Sequence, residues 1–171
     1  YLAGYNSNGE SNVFIGDSTG YNPTANMTSS SSFNVIIGKS SGVYNVGSYN
    51  TFLGYKSGYS SNSSYNTFLG FETGVSTVAN FNSFIGYRAG NKNTSGASNV
   101  FIGNSSGYKN TVGSNNVYLG LESGYNTTSS NNCFIGYRAG KNYTSGAYNT
   151  FIGYEAGIAS STSFGTADNN V

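Results

Sequence analysis

The sequence predicts an all-β chain, a parallel β-solenoid with about 16–17 residues per coil. Three observations carry this. One phrase recurs as NTFLGYKSG from Asn50, NTFLGFETG from Asn66, NSFIGYRAG from Asn82, NCFIGYRAG from Asn132 and NTFIGYEAG from Asn149. Gly, Ser, Asn and Tyr dominate the 171 residues while helix formers are scarce. Charged residues are only 8%, against roughly a quarter in ordinary soluble domains, yet aromatics reach 16%, too many for a disordered polar linker.

The repeat organises the whole chain. Its first glycine stands at Gly16, Gly38, Gly54, Gly70, Gly86, Gly103, Gly120, Gly136 and Gly153, in steps of 22, 16, 16, 16, 17, 17, 16 and 17 residues. A second glycine always follows four positions later, and an asparagine always precedes by four, from Asn12 to Asn149. Residues 1–171 therefore read as a single continuous array, with an inserted loop at 21–33 that carries Pro23 and a serine run. Both ends cut through a repeat, since YLAG at Tyr1 matches a repeat's tail and NNV at Val171 matches a repeat's start. A fragment of a longer fibre is expected.

Each copy supplies a short strand before its first glycine, and side chains along a strand alternate faces. The position next to that glycine is always Ile or Leu, and the position two earlier is Val, Thr, Ser or Cys. These two columns are expected to form a thin apolar core, with the small residue before the second glycine (Ser57, Ala89, Ala139) facing them from the opposite wall. Cys133 is the only cysteine, so an intrachain disulfide is impossible, and it reads as one more small buried side chain. Glycines at both fixed positions suit tight corners where a Cβ would clash. Stacking is what stabilises such coils, because one alone cannot bury its apolar face.

Between the two core columns lies an aromatic stripe: Phe14, Phe52, Phe68, Phe84, Phe101, Tyr118, Phe134 and Phe151, with Ile36 as the exception. If it faces outward it makes an apolar patch that soluble monomers rarely tolerate. The favoured reading is a subunit interface along the fibre axis, threefold in form; the alternative is a coil wide enough to hold the rings inside. Two positions after the first glycine, a charge ladder runs Lys56, Glu72, Arg88 and then Glu122, Arg138, Glu155. Alternating sign is what stacked turns favour, because opposite charges across neighbouring strands attract.

The chemistry of an enzyme is not expected. Histidine is absent, which excludes His-based triads and His metal ligands. The six carboxylates, Asp168 among them, recur at most once per turn, which gives no paired acid and base. No cofactor, no metal site and no catalytic residue is expected. The net charge of +1 with scattered basic residues argues against a nucleic-acid partner, and no apolar run is long enough to span a membrane within this segment.

The pattern Asn-(Val/Thr/Ser)-Phe-(Ile/Leu)-Gly-x-x-(Ala/Ser/Thr)-Gly resembles the head repeats of trimeric autotransporter adhesins. It is also similar to the Asn-Thr-Phe-Ile-Gly-Tyr-x-Ala-Gly arrays of bacterial and phage tail fibres. The resemblance covers Tyr1 to about Gly157, although the adhesin repeat is shorter and has a small residue where this chain has Phe. It implies a homotrimeric, left-handed β-roll, extracellular, on a cell surface or virion, serving attachment to a host-surface receptor or glycan. The alternative reading is a self-assembling extracellular filament or functional amyloid. A glycan platform on Tyr5, Tyr21, Tyr59, Tyr108 and Tyr125 ranks below it. So does an ice-binding grid, for which the Thr column is too often broken.

Overall fold

The computed structural model describes residues 1–23, 30–45 and 47–158. Nine strands lie within them: β1 (Val13–Ile15), β2 (Val35–Ile37), β3 (Thr51–Leu53), β4 (Thr67–Leu69), β5 (Ser83–Ile85), β6 (Val100–Ile102), β7 (Val117–Leu119), β8 (Cys133–Ile135) and β9 (Thr150–Ile152). They form one parallel sheet whose order follows the chain, like residue opposite like, so that Phe52 faces Phe68 and Phe68 faces Phe84. No helix occurs among the described residues. The fold is a parallel β-solenoid. β1 pairs with β2 across the 21–33 insertion, Val13 opposite Val35, so the extra residues leave the sheet unbroken. The centre of that insertion, residues 24–29, lies outside the described residues. So do residue 46 and residues 159–171, which include Asp168 and the partial repeat ending at Val171.

Hydrogen bonding between turns continues well beyond the three-residue strands. The Gly54 N–H donates to the Ile37 carbonyl at 2.8 Å, Lys56 to Lys39 at 3.1 Å, Gly58 to Thr73 at 2.9 Å and Ser60 to Val75 at 2.7 Å. Each wall of the coil thus hangs from its neighbour, at the roughly 4.8 Å spacing of adjacent strands.

The strands turn their faces the other way from the sequence-based expectation. Phe52, Phe68, Phe84, Phe101, Tyr118 and Phe134 have no exposed surface, Ile36 continues their file, and Phe14 and Phe151 close it as partly buried ends. The aromatic stripe is therefore the core and not a subunit interface. The Ile/Leu and Val/Thr columns expected inside point outward, with Leu53 at 47% and Ile15 at 57% exposure. Cys133 goes with them and is partly exposed.

The reason is the second glycine. Gly74 has φ +56°, and a Cβ there would stand 2.6 Å from the Phe68 ring. Removing that Cβ from the opposite wall hollows out the space that a benzene ring fills, and every turn repeats the exchange. The first glycine answers a different demand. Gly70 has φ +139°, and a Cβ on it would collide with the carbonyl oxygen of Gly86 on the next turn. No other residue adopts that backbone at such close approach.

Inside, the rings stack in one continuous pile, with centroids 4.9 Å apart for Phe52 and Phe68, 4.8 Å for Phe84 and Phe101, and interplanar angles of 5° and 3°. Tyr118 takes a Phe place in this pile, and burial pushes its phenol pKa far up. Truncating one ring leaves a void between two others. Phe84→Ala should cost about 3–5 kcal/mol in equilibrium unfolding. A fold unmoved by this change, with only association weakened, would return the ring to the surface.

Candidate functional site

Two internal ladders hold the outer surface in place. In the first, each repeat's asparagine bonds to the asparagine of the previous turn. The Asn66 N–H donates to Asn50 Oδ1 at 3.0 Å, Asn82 to Asn66 at 2.8 Å, Asn99 to Asn82 at 3.0 Å and Asn116 to Asn99 at 2.9 Å. The series runs from Asn12 through Asn149. The same side chains reach the segment that leads into the next strand, where Asn82 Nδ2 donates to the Gly96 carbonyl at 3.0 Å and Asn99 Nδ2 to Gly113 at 2.8 Å. In the second ladder, buried hydroxyls one residue before the second glycine donate to strand carbonyls of the next turn: Ser57 to Phe68 at 3.0 Å, Ser106 to Tyr118 at 3.0 Å and Ser123 to Phe134 at 2.9 Å. The sequence displayed the fixed asparagine without disclosing this role. Its lack of any substitution in nine copies was the available signal.

Beyond the first glycine runs the charged edge. Arg88 Nε meets Glu72 Oε2 at 2.8 Å, Arg138 Nε meets Glu122 Oε2 at 2.7 Å, and Arg138 Nη1 lies 3.6 Å from Glu155. Lys141 also reaches Glu122, at 2.7 Å. Lys56 is placed differently, with its Nζ over the rings of Tyr55 and Tyr59 at 5.4 and 5.6 Å. Lys56, Glu72, Arg88, Glu122, Arg138 and Glu155 all stand at positive φ, between 51° and 54°. Lys141 foremost, and then Arg138, hold the Glu122 carboxyl below its ordinary value. The hydrogen bond that Arg138 donates to Glu122 raises the pKa of Arg138, and the one that Arg88 donates to Glu72 raises that of Arg88.

The outward sheet face lies between this edge and a file of serines. Its middle is the Ile/Leu column beside the Val/Thr column. Its far margin is an aromatic file in which Phe33, Tyr49, Tyr65 and Phe81 stack in sequence at 5.1, 4.9 and 5.2 Å. Asn115, Asn131 and Tyr148 share one shallow depression with Val117, Cys133 and Thr150, so the margin and the Val/Thr column belong to the same face. The serines beyond it form their own ladder, Ser32 N–H to Ser48 Oγ and Ser48 N–H to Ser64 Oγ, both 3.0 Å.

The tyrosines expected as a platform pair off along the axis. Tyr108 and Tyr125 stack at 5.1 Å, Tyr5 and Tyr21 sit tilted at 5.9 Å, and Tyr59 meets Tyr44 edge-on at 5.5 Å. Among the described residues, no three of His, Cys, Asp and Glu come together as a metal site, and no helix is long and apolar enough to cross a membrane. No protein-family model matches this chain, no curated protein is similar to it, and no solved structure matches it.

Two measurements test these ladders. Asn99→Leu leaves the Asn116 N–H and the Gly113 carbonyl buried without partners, and should cost about 2–5 kcal/mol in chemical denaturation. The charged edge should matter far less. Because the folded-state pKa of Glu122 is lowered, its contribution is present above the ordinary carboxylate value of 4.5 and is lost as pH falls below it. Glu122→Gln should therefore flatten the acid limb of the stability profile while costing under about 1 kcal/mol at neutral pH.

Proposed function

We propose that this chain is a structural, adhesive segment of an extracellular fibre, used in attachment to a host or surface. The observation that carries the proposal is the unbroken like-to-like register of all nine strands. A body in which every turn is hydrogen-bonded to the next is stiff along its axis and presents its surface groups as long files. Such a body suits holding a binding surface away from its anchor better than it suits enclosing a substrate. Enzymatic activity and a resident cofactor form no part of this reading. The resemblance of the repeats to adhesin heads and tail fibres points to the same place, outside a cell or on a virion, and to a left-handed coil of 16–17 residues.

Association of copies belongs to the proposal as well. Its threefold form rested on an outward Phe stripe, and those rings fill the core instead. A self-assembling filament is the second reading, favoured by the parallel stack itself, since identical turns extend without limit if copies join end to end. Electron microscopy of the purified chain separates the two, with discrete short rods for the fibre segment and open-ended polymers for the filament. The adhesive role is tested with fluorescently labelled chain on panels of intact cells and immobilised glycans. Saturable, competable binding to at least one surface is expected, and uniform failure to bind would overturn adhesion.

A further inference from the structure

Among the described residues, the fold leaves the outward sheet face without a partner. Five residues of extended chain across, at about 3.3 Å each, and eight inter-strand steps of about 4.8 Å along it give roughly 17 by 38 Å. That is on the order of 650 Å² per copy, so two faces together reach the range of a specific interface, about 1,200–2,000 Å². No charged residue occurs in the three files that make up this face. Its two margins are polar, the ion-paired edge of Glu72, Arg88 and Glu122 on one side and the serine ladder on the other. An apolar centre inside a polar rim is the anatomy of a protein–protein interface. An uncharged surface of this size with an unbroken Ile/Leu file along it is uncommon on a soluble monomer unless something binds there.

We infer that a second copy of this chain covers the face, sheet against sheet, in a two-fold dimer. Period selects this occupant. The Leu53, Leu69 and Ile85 side chains form ridges one strand spacing apart, and the surface sure to carry matching grooves is another copy of the same sheet, as in interdigitated β-sheet stacks. Number follows from shape. One flat, self-complementary face closes on a two-fold axis, whereas a ring of three needs two different surfaces that meet head to tail.

Carbohydrate fits less well. Sugars pack on the open faces of aromatic rings, and here Tyr49 and Tyr65 each lie between two neighbours that cover those faces. Ice fits less well too, because a complete Ile/Leu file runs beside the broken Thr file. The inference extends the self-association within the proposed function and names the surface and the number of copies.

The test uses the full 171-residue chain. Sedimentation equilibrium or native mass spectrometry at micromolar concentration should give twice the chain mass. The double variant Leu69→Glu with Ile102→Glu puts two charges on outward positions and should raise the dimer dissociation constant at least a hundredfold, with the β-sheet circular dichroism and cooperative melt retained. Cys133, on the same face, supplies a readout that needs no substitution. Its alkylation should be at least tenfold slower under dimer conditions than after dilution below the dissociation constant. A monomeric wild type, a trimer, a dimer that survives the double variant, or labelling of Cys133 that ignores concentration would each overturn the inference. None of these results touches the adhesion assay. A monomer that still binds a surface removes the dimer alone, and a dimer that binds nothing removes the adhesive role alone.

Discussion

In a parallel stack the backbone hydrogen bonds of all turns run along one axis, and the ladder is at risk wherever the chain leaves a strand. The asparagine four residues before the first glycine covers that place. Its own N–H points to the previous turn, where the side-chain oxygen of another asparagine takes the position that a carbonyl would hold inside a strand. Its side chain reaches the following turn twice, the oxygen accepting from the next asparagine's N–H and the amide donating to the carbonyl three residues before that asparagine, so one side chain fixes the segment that leads into the next strand. These groups are fully buried, and each would cost several kcal/mol if left unpaired. Leucine cannot make these bonds, and aspartate supplies no amide donor. With the Asn file in register, the Phe rings and the outer files have no freedom to slip.

The same coil tolerates an unusual amount of left-handed backbone. Besides its two glycines, the turn around Phe68 carries Tyr65 at φ +60° and Glu72 at φ +51°. Non-glycine residues reach that region at a cost of roughly 1–2 kcal/mol each. A single turn has little to offset this, having one buried ring and no neighbour to hydrogen-bond. The stack does, because the rings on both sides, the Asn ladder and the backbone bonds are gained with every turn added. Cooperativity along the rod is thus forced by the strain within each coil, and the inner turns should be more secure than the outermost ones.

Much of this was legible in the letters, and one thing was reversed. The repeat, the like-to-like stacking that it implies and the opposite signs of neighbouring charges all follow from equivalent positions recurring at a fixed step. Inside and outside did not follow. In Thr67-Phe68-Leu69 alternation assigns Phe68 to one face and its neighbours to the other, but all three residues can be buried, and period two does not say which face is the core. The unbroken Ile/Leu column suggested that its own face was the core. The correcting clue was Gly74, six residues later, whose missing Cβ makes the room. That contact joins residues on opposite walls, and no local pattern reveals it.

A solenoid of like-to-like files restricts the chemistry its surface can carry. Each position places a near-copy of itself about 4.8 Å away, so a file persists only when its members attract or ignore one another. Stacked aromatics, aliphatic ridges and hydroxyl ladders satisfy that condition. Charges satisfy it only by alternating, as from Glu72 to Arg88, or by staying exposed to solvent screening, as Lys92 and Lys109 do. Several unlike groups converging on one point, which catalysis requires, would need the repeat to be broken locally. An extended and uniform surface is what the architecture gives without cost, and the uncharged outer face is its fullest expression. The physical logic that stacks one turn on the next, matching identical files at one spacing, is therefore also the logic by which a second copy would be recognised.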